Sequence, residues 1–135
     1  ELRNKLGDEL LQPHTCYYPL MKPLLERSWL SAAAHITGGG LTENLPRALP
    51  PRTAAEIHLD AWRVPPLFRL LERLGRLPPE EMLRTFNMGI GMVLVVPARH
   101  AVKVMRFLRR RHAACFEIGR VARGRAAVHY RGSWR

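Results

Sequence analysis

The most regular hydrophobic pattern in the chain runs from Ala98 to Arg111. There Ala101, Val104, Met105 and Leu108 recur at helical spacing, while Arg99, Lys103, Arg106 and Arg110 share the opposite face. A second helix is predicted after Pro65 and Pro66. Leu67, Leu70, Leu71 and Leu74 make its apolar stripe, Arg69, Glu72, Arg73 and Arg76 point away, and Gly75 closes it. Weaker patterns predict helical segments over Glu1 to Leu11, Leu20 to Arg27 and Pro79 to Leu83. Pro23 fits only the first turn of its helix, and Pro13 and Pro19 make Gln12 to Pro19 a lead-in loop.

Period-two patterning marks the strands. Ala55, Ile57 and Leu59 alternate with Glu56, His58 and Asp60, which puts His58 on the solvent side rather than in a ligand set. Ser31 to Ile36 is a short strand of small residues delivering His35 to a glycine loop. The continuous apolar run Met92 to Val96 is expected as a central strand. Cys115 to Val121 and Ala126 to Tyr130 are two closing strands joined at Gly124, an arrangement that suits a hairpin. Helices and strands thus interleave with at least one antiparallel pair. This predicts an α+β fold with one mixed or antiparallel sheet of about four to six strands packed with helices.

Composition narrows the class. A length of 135 residues with 47% hydrophobic and 24% charged residues suits one domain with a real core. The longest apolar stretch, Met88 to Pro97, is about half the roughly 20 residues a membrane helix requires. The first residues mix charges of both signs and lack the apolar core of a signal peptide; without an initiating methionine, a piece of a longer chain is expected. Cys16 and Cys115 show neither CxxC nor CxxH spacing, so a zinc site or disulfide framework is not indicated and a cytoplasmic protein with two incidental thiols is expected. The net charge of +11 favours anionic partners, either nucleic acid or phosphorylated small molecules, or reflects an arginine-rich proteome.

Two glycine-rich loops stand out. Thr37-Gly38-Gly39-Gly40 follows one strand and leads into a short helix, and Arg84-Thr85-Phe86-Asn87-Met88-Gly89-Ile90-Gly91 runs into another. A strand that ends in glycines and hands over to a helix start exposes unpaired N–H groups, and the missing Cβ atoms let an anion approach. A tight turn without a ligand is the bland alternative. Glu43 suits a Mg2+ ligand, a general base or a helix cap.

The strings HITGGGLTENLPRALP and RTFNMGIGMVLVV, with LGDELLQP before them and WRVPPLFRLL between, are similar to the C-terminal domain of the aminoimidazole ribonucleotide synthetase family. The resemblance extends to about Val121. It implies that family's C-terminal-domain fold and an ATP-dependent ring closure. In that reaction the amide oxygen of formylglycinamidine ribonucleotide is activated by phosphoryl transfer and an internal nitrogen then displaces phosphate.

It further implies a cleft shared with an N-terminal domain that binds most of the ATP and Mg2+, and a homodimer formed chiefly through that domain. On its terms, 1–16 is a lead-in segment, 17–130 the synthetase domain and 131–135 a tail, inactive without the remainder. His35, Glu43 and Asn87 then become the candidate catalytic residues. Thr37, Gly38, Gly39, Gly40, Asn44, Arg84, Gly89 and Gly91 become the candidates for holding the phosphoribosyl substrate. His35 suits a hydrogen-bond or proton donor and equally a satisfied structural residue. No metal ligand is assigned.

Where the family usually has Pro-Thr-Arg-Ile-Tyr, this chain has Pro13-His14-Thr15-Cys16-Tyr17, so the tyrosine matches and the arginine does not. The alternatives are related ATP-dependent enzymes of amidotransferase, thiamine-phosphate kinase or selenophosphate synthetase type. A small basic nucleic-acid-binding protein or a pure assembly module is a further alternative. For nucleic acid, the run Arg106, Arg109, Arg110, Arg111 and His112 lacks any accompanying recognition motif and is most simply a solvated helix face.

Overall fold

In the computed structural model, residue 2 and residues 4–134 are described. Of the helical pattern expected over Glu1 to Leu11, residues 1 and 3 therefore lie outside the described residues, as does residue 135 of the tail. The order of elements is α1 (Leu6–Leu10), α2 (Tyr18–Glu26), β1 (Ala32–His35), α3 (Gly40–Asn44), a 3-10 turn (Leu45–Ala48) and β2 (Thr53–His58). It continues with α4 (Pro66–Gly75), α5 (Pro79–Thr85), β3 (Met92–Val95), α6 (Ala98–Arg109), β4 (Gly119–Arg123) and β5 (Val128–Arg131).

The α+β class holds, and the strands divide between two sheets. β1 and β3 form an antiparallel pair, while β2 lies between β4 and β5. The apolar run of β3 is therefore not a central strand: it has one partner, and β2 takes the central place. In β2 and the two residues after it the alternation follows the sequence pattern, with Ile57 and Leu59 buried and His58 and Asp60 exposed. β4 and β5 do not form a hairpin. β4 pairs antiparallel with β2 on one side and β5 parallel on the other. The connection at Gly124 passes around the start of β2, where the Gly124 N–H bonds the Arg52 carbonyl at 3.0 Å. Side-chain alternation alone does not show which strand intervenes between two neighbours in sequence.

Prolines behave less restrictively than expected. Pro19 falls in the first turn of α2, where its missing N–H would be unpaired in any case. Pro23 lies inside the same helix, not in its first turn. Its own carbonyl is taken by the Arg27 guanidinium at 2.8 Å. α4 ends at Gly75, as its pattern predicts, and the left-handed cap falls on the next residue. Arg76 adopts the left-handed conformation (φ 49°), and the Leu77 N–H closes back on the Glu72 carbonyl at 3.1 Å.

Two cores hold the elements together. The larger joins Ala34, Ile36, Leu41, Ile57, Met82 and Met88, that is, β1, α3, β2, α5 and the loop before β3. The smaller packs Leu24 of α2 against Val104 and Leu108 of α6, with Leu94 of β3 on it. Ala34 and Val93 are cross-strand partners and both belong to the larger core, whereas the next residue of β3, Leu94, turns to the smaller one. On β3 both faces thus meet apolar neighbours, although Ala33 and His35 of β1 stay exposed, and this explains why MVLVV carries no polar alternation.

Candidate functional site

The two glycine loops are built onto each other. The Ile36 N–H at the end of β1 donates to the Gly91 carbonyl at 2.9 Å, which continues the β1–β3 ladder into the loops. The three consecutive glycines do three different things. Gly40 has φ +56° and is buried, and a Cβ there would collide with the main-chain carbonyls of Leu83 and Phe86. Gly39 has φ +96° and lies under the Glu43 side chain, whose Oε2 would be 2.8 Å from an added Cβ. Gly38 has open space where its side chain would be. So one glycine is required by packing, one by backbone conformation, and one leaves a bare main chain facing outward.

Hydrogen bonds fix this loop. Among the described residues Asn44 is the one buried polar side chain, and its amide Nδ2 donates to the carbonyls of Gly38 at 3.0 Å and Gly40 at 2.9 Å, with a longer contact to Thr37 at 3.5 Å. The Gly40 N–H is used inside the turn, on the Thr37 carbonyl at 3.1 Å. The N–H groups of Gly38 and Gly39 have no protein acceptor among the described residues. Asn44 therefore acts as a clamp behind the loop, and the donors left for an anion are those of Gly38 and Gly39, not all three glycines.

The second loop turns through Asn87–Ile90. Met88 and Gly89 both have positive φ, 52° and 93°, and the Ile90 N–H closes on the Asn87 carbonyl at 2.9 Å. Asn87 Oδ1 accepts the Gly89 N–H at 2.9 Å, so the observed work of this side chain is to hold its own turn. Met88 is buried, and its carbonyl accepts the Trp62 indole N–H at 3.0 Å. Gly89 is pressed against the Pro65 ring, 2.5 Å from where its Cβ would stand.

Glu43 and Arg84 meet across the loops, with Arg84 Nε donating to Glu43 Oε1 at 3.3 Å. Their side chains are 43% and 66% exposed, so the pair is worth little to stability, and it presents a guanidinium beside the open glycine wall. Thr42 lies behind it, bonded to the Leu83 carbonyl at 3.2 Å and sharing a 2.8 Å hydrogen bond with the Tyr130 hydroxyl. Burial raises the Tyr130 phenol above its ordinary range, partly offset by that bond.

His35 is exposed at the end of β1, and its Nε2 stands 3.2 Å from Nε2 of His14. The Tyr17 ring makes T-shaped contacts with the imidazoles of His14 and His35, at centroid distances of 5.9 and 6.1 Å. Gly91 leaves the room that the Tyr17 hydroxyl occupies; any Cβ would overlap it. The sequence assigns Gly91 to a substrate wall and gives His14 no role. In the structure Gly91 seats Tyr17, and that contact brings the segment before α2, with His14, onto His35. The matching tyrosine in the lead-in segment was the available signal for this contact.

A model of the family described as "AIR synthase related protein, C-terminal domain" matches residues 1–131. The chain belongs to that family. The chain is 48% identical over 116 residues to the phosphoribosylformylglycinamidine cyclo-ligase of Enterococcus faecalis, covering 86% of this chain and 33% of that protein. The enzyme of the same name from Desulfitobacterium hafniense is 45% identical over 130 residues, covering 96% of this chain and 38% of its own length. The chloroplastic one of Arabidopsis thaliana is 40% identical over 119 residues, with coverage of 88% and 31%.

The chain thus spans between 31% and 38% of these relatives. Among solved structures, a thiamine-monophosphate kinase from Stenotrophomonas maltophilia matches 98% of this chain and 42% of its own with a TM-score of 0.65. At 22% identity, that likeness is one of fold. No helix of the described residues is long and apolar enough to cross a membrane.

Proposed function

We propose that this AIR synthase related domain forms one wall of the substrate cleft of a phosphoribosylformylglycinamidine cyclo-ligase, an enzyme of purine synthesis. In that role the longer protein closes the imidazole ring of aminoimidazole ribonucleotide from formylglycinamidine ribonucleotide. The observation that carries it is the identity of 40% to 48% with cyclo-ligases across most of the chain, in a fold that leaves the Gly38 main chain bare beside the second glycine loop. The Gly38 and Gly39 N–H groups donate to a phosphate or developing oxyanion, and Arg84, oriented by Glu43, adds a positive charge beside them. His35 donates a hydrogen bond or a proton at the end of β1. Thr37 lines the approach. Asn44, Asn87, Gly40, Gly89 and Gly91 hold the geometry from behind.

The described residues do not fit Mg2+. No three His, Cys, Asp or Glu side chains converge among them, and the Glu43 carboxylate is engaged by Arg84. Sites for ATP and Mg2+ are proposed to lie in the upstream part of the longer protein. The same upstream part is proposed to form the homodimer, in the cytoplasm, and the isolated domain is proposed to be inactive.

The experiment is a cyclisation assay on the full-length protein carrying Glu43→Ala or Asn87→Ala. A fall of about tenfold or more in kcat/KM for Glu43→Ala supports the wall assignment. Wild-type turnover in both variants removes it and leaves the fold standing.

A further inference from the structure

We propose that His14 and His35 together chelate a borderline divalent transition-metal ion, of the Zn2+, Ni2+ or Cu2+ class, through their paired Nε2 atoms. The proposal is independent of the cyclo-ligase reading.

Three observations converge on it. First, the tautomer of His14 is set. Its Nδ1 lies 2.9 Å from the Thr15 carbonyl, which only accepts, so Nδ1 carries the hydrogen and Nε2 presents a lone pair. A ring nitrogen that donates to a carbonyl while the other faces a neighbour is the arrangement that orients metal-binding histidines. Second, the spacing suits a shared ion. Two nitrogens at roughly 2.1 Å from one metal lie about 3.0 Å apart at a right angle and about 3.4 Å apart at the tetrahedral angle. The observed separation of 3.2 Å falls between these limits and at the long end for a direct hydrogen bond. Third, the rings face each other without stacking, with planes at 87° and centroids 5.1 Å apart.

Without metal, His35 donates its Nε2–H to His14. With metal, His35 takes the Nδ1–H tautomer and both Nε2 lone pairs turn to the ion. Tyr17, seated on Gly91 and in ring contact with both imidazoles, holds the two segments together. Imidazole donors favour Zn2+, Ni2+ and Cu2+ over Mg2+, so this is not the site of a nucleotide's Mg2+. With two protein ligands, and no third His, Cys, Asp or Glu converging among the described residues, the remaining positions belong to water or to an anion from solution.

The test titrates the chain with Ni2+, and separately with Zn2+, by calorimetry, with imidazole proton resonances followed by NMR. One saturable site per chain is expected, with the His14 and His35 resonances perturbed first. His14→Thr, an exposed position, and His35→Gln are each expected to weaken binding by roughly tenfold or more, while His58→Gln and Cys16→Ser stay within about twofold. Circular dichroism checks that each variant is folded, and the resonance pattern of the unmodified chain decides the matter if one is not. Unchanged affinity in His14→Thr, loss of binding in Cys16→Ser, perturbation of other histidines first, or no saturable site in the unmodified chain would each overturn the proposal.

Discussion

The α-carbon of Gly40 rests against the main-chain carbonyl of Leu83, so the first glycine loop and the end of α5 are in backbone-to-backbone contact. A methyl group at Gly40 would have to displace two carbonyls at a residue that also needs positive φ. Gly40→Ala is therefore expected to destabilise by about 2–4 kcal/mol, from overpacking and backbone strain together. Gly38→Ala, where nothing stands in the way, is expected to leave stability within about 1 kcal/mol of the original or raise it slightly. Urea unfolding of the two variants side by side separates them. Equal destabilisation would remove the division of labour among the three glycines.

Asn44 is expected to be the most sensitive polar position in the loop. Asn44→Ala removes the donor that binds the Gly38 and Gly40 carbonyls and is expected to lose about 1–3 kcal/mol. Asn44→Asp places an acceptor against acceptors and is expected to be worse still at neutral pH. Thermal melts of the three proteins at one pH test the order.

Tyr130 links β5 to α3 through Thr42. Its raised phenol means that the neutral form is favoured in the folded state, so its contribution is intact below the ordinary phenol range and is lost as pH rises through the raised folded value. Tyr130→Phe is expected to lower stability by about 1 kcal/mol at neutral pH and to flatten the alkaline end of the stability profile. A Tyr130→Phe profile that falls as steeply in alkali as the original would exclude Tyr130 as the source.

Glu56 behaves in the opposite sense. The Arg120 guanidinium, its cross-strand partner at 2.7 Å, holds the carboxyl below its ordinary range. The contribution is present above the ordinary carboxylate value and disappears as pH falls through the lowered one. Glu56→Gln is expected to reduce the loss of melting temperature on acidification, and added salt is expected to mimic it.

Much of this architecture is legible from the sequence because period and burial coincide. The stripe Val104 and Leu108 of α6 and the alternation of β2 are set by which faces are covered. What the pattern does not contain is strand adjacency. Val128 of β5 lies beside Ala55, across β2 from Val121 of β4, and only the path around Arg52 shows it. Glycine chemistry was visible as a cluster, but the separate tasks of the three glycines were not: that of Gly40 depends on carbonyls at and just after the end of α5, more than forty residues away, and that of Gly39 on the Glu43 side chain. His14 was hidden because it sits in a proline-bounded segment without periodicity, and only Tyr17 on Gly91 brings it to His35.

The most direct test of the cleft assignment is the cyclisation rate of the full-length protein carrying Gly38→Ala, a change expected to leave the fold intact. If the bare Gly38 main chain is the wall on which the substrate's anionic group rests, kcat/KM for ATP-dependent formation of aminoimidazole ribonucleotide falls by about tenfold or more, with unfolding unchanged. Full cyclisation by a normally folded Gly38→Ala enzyme would contradict it.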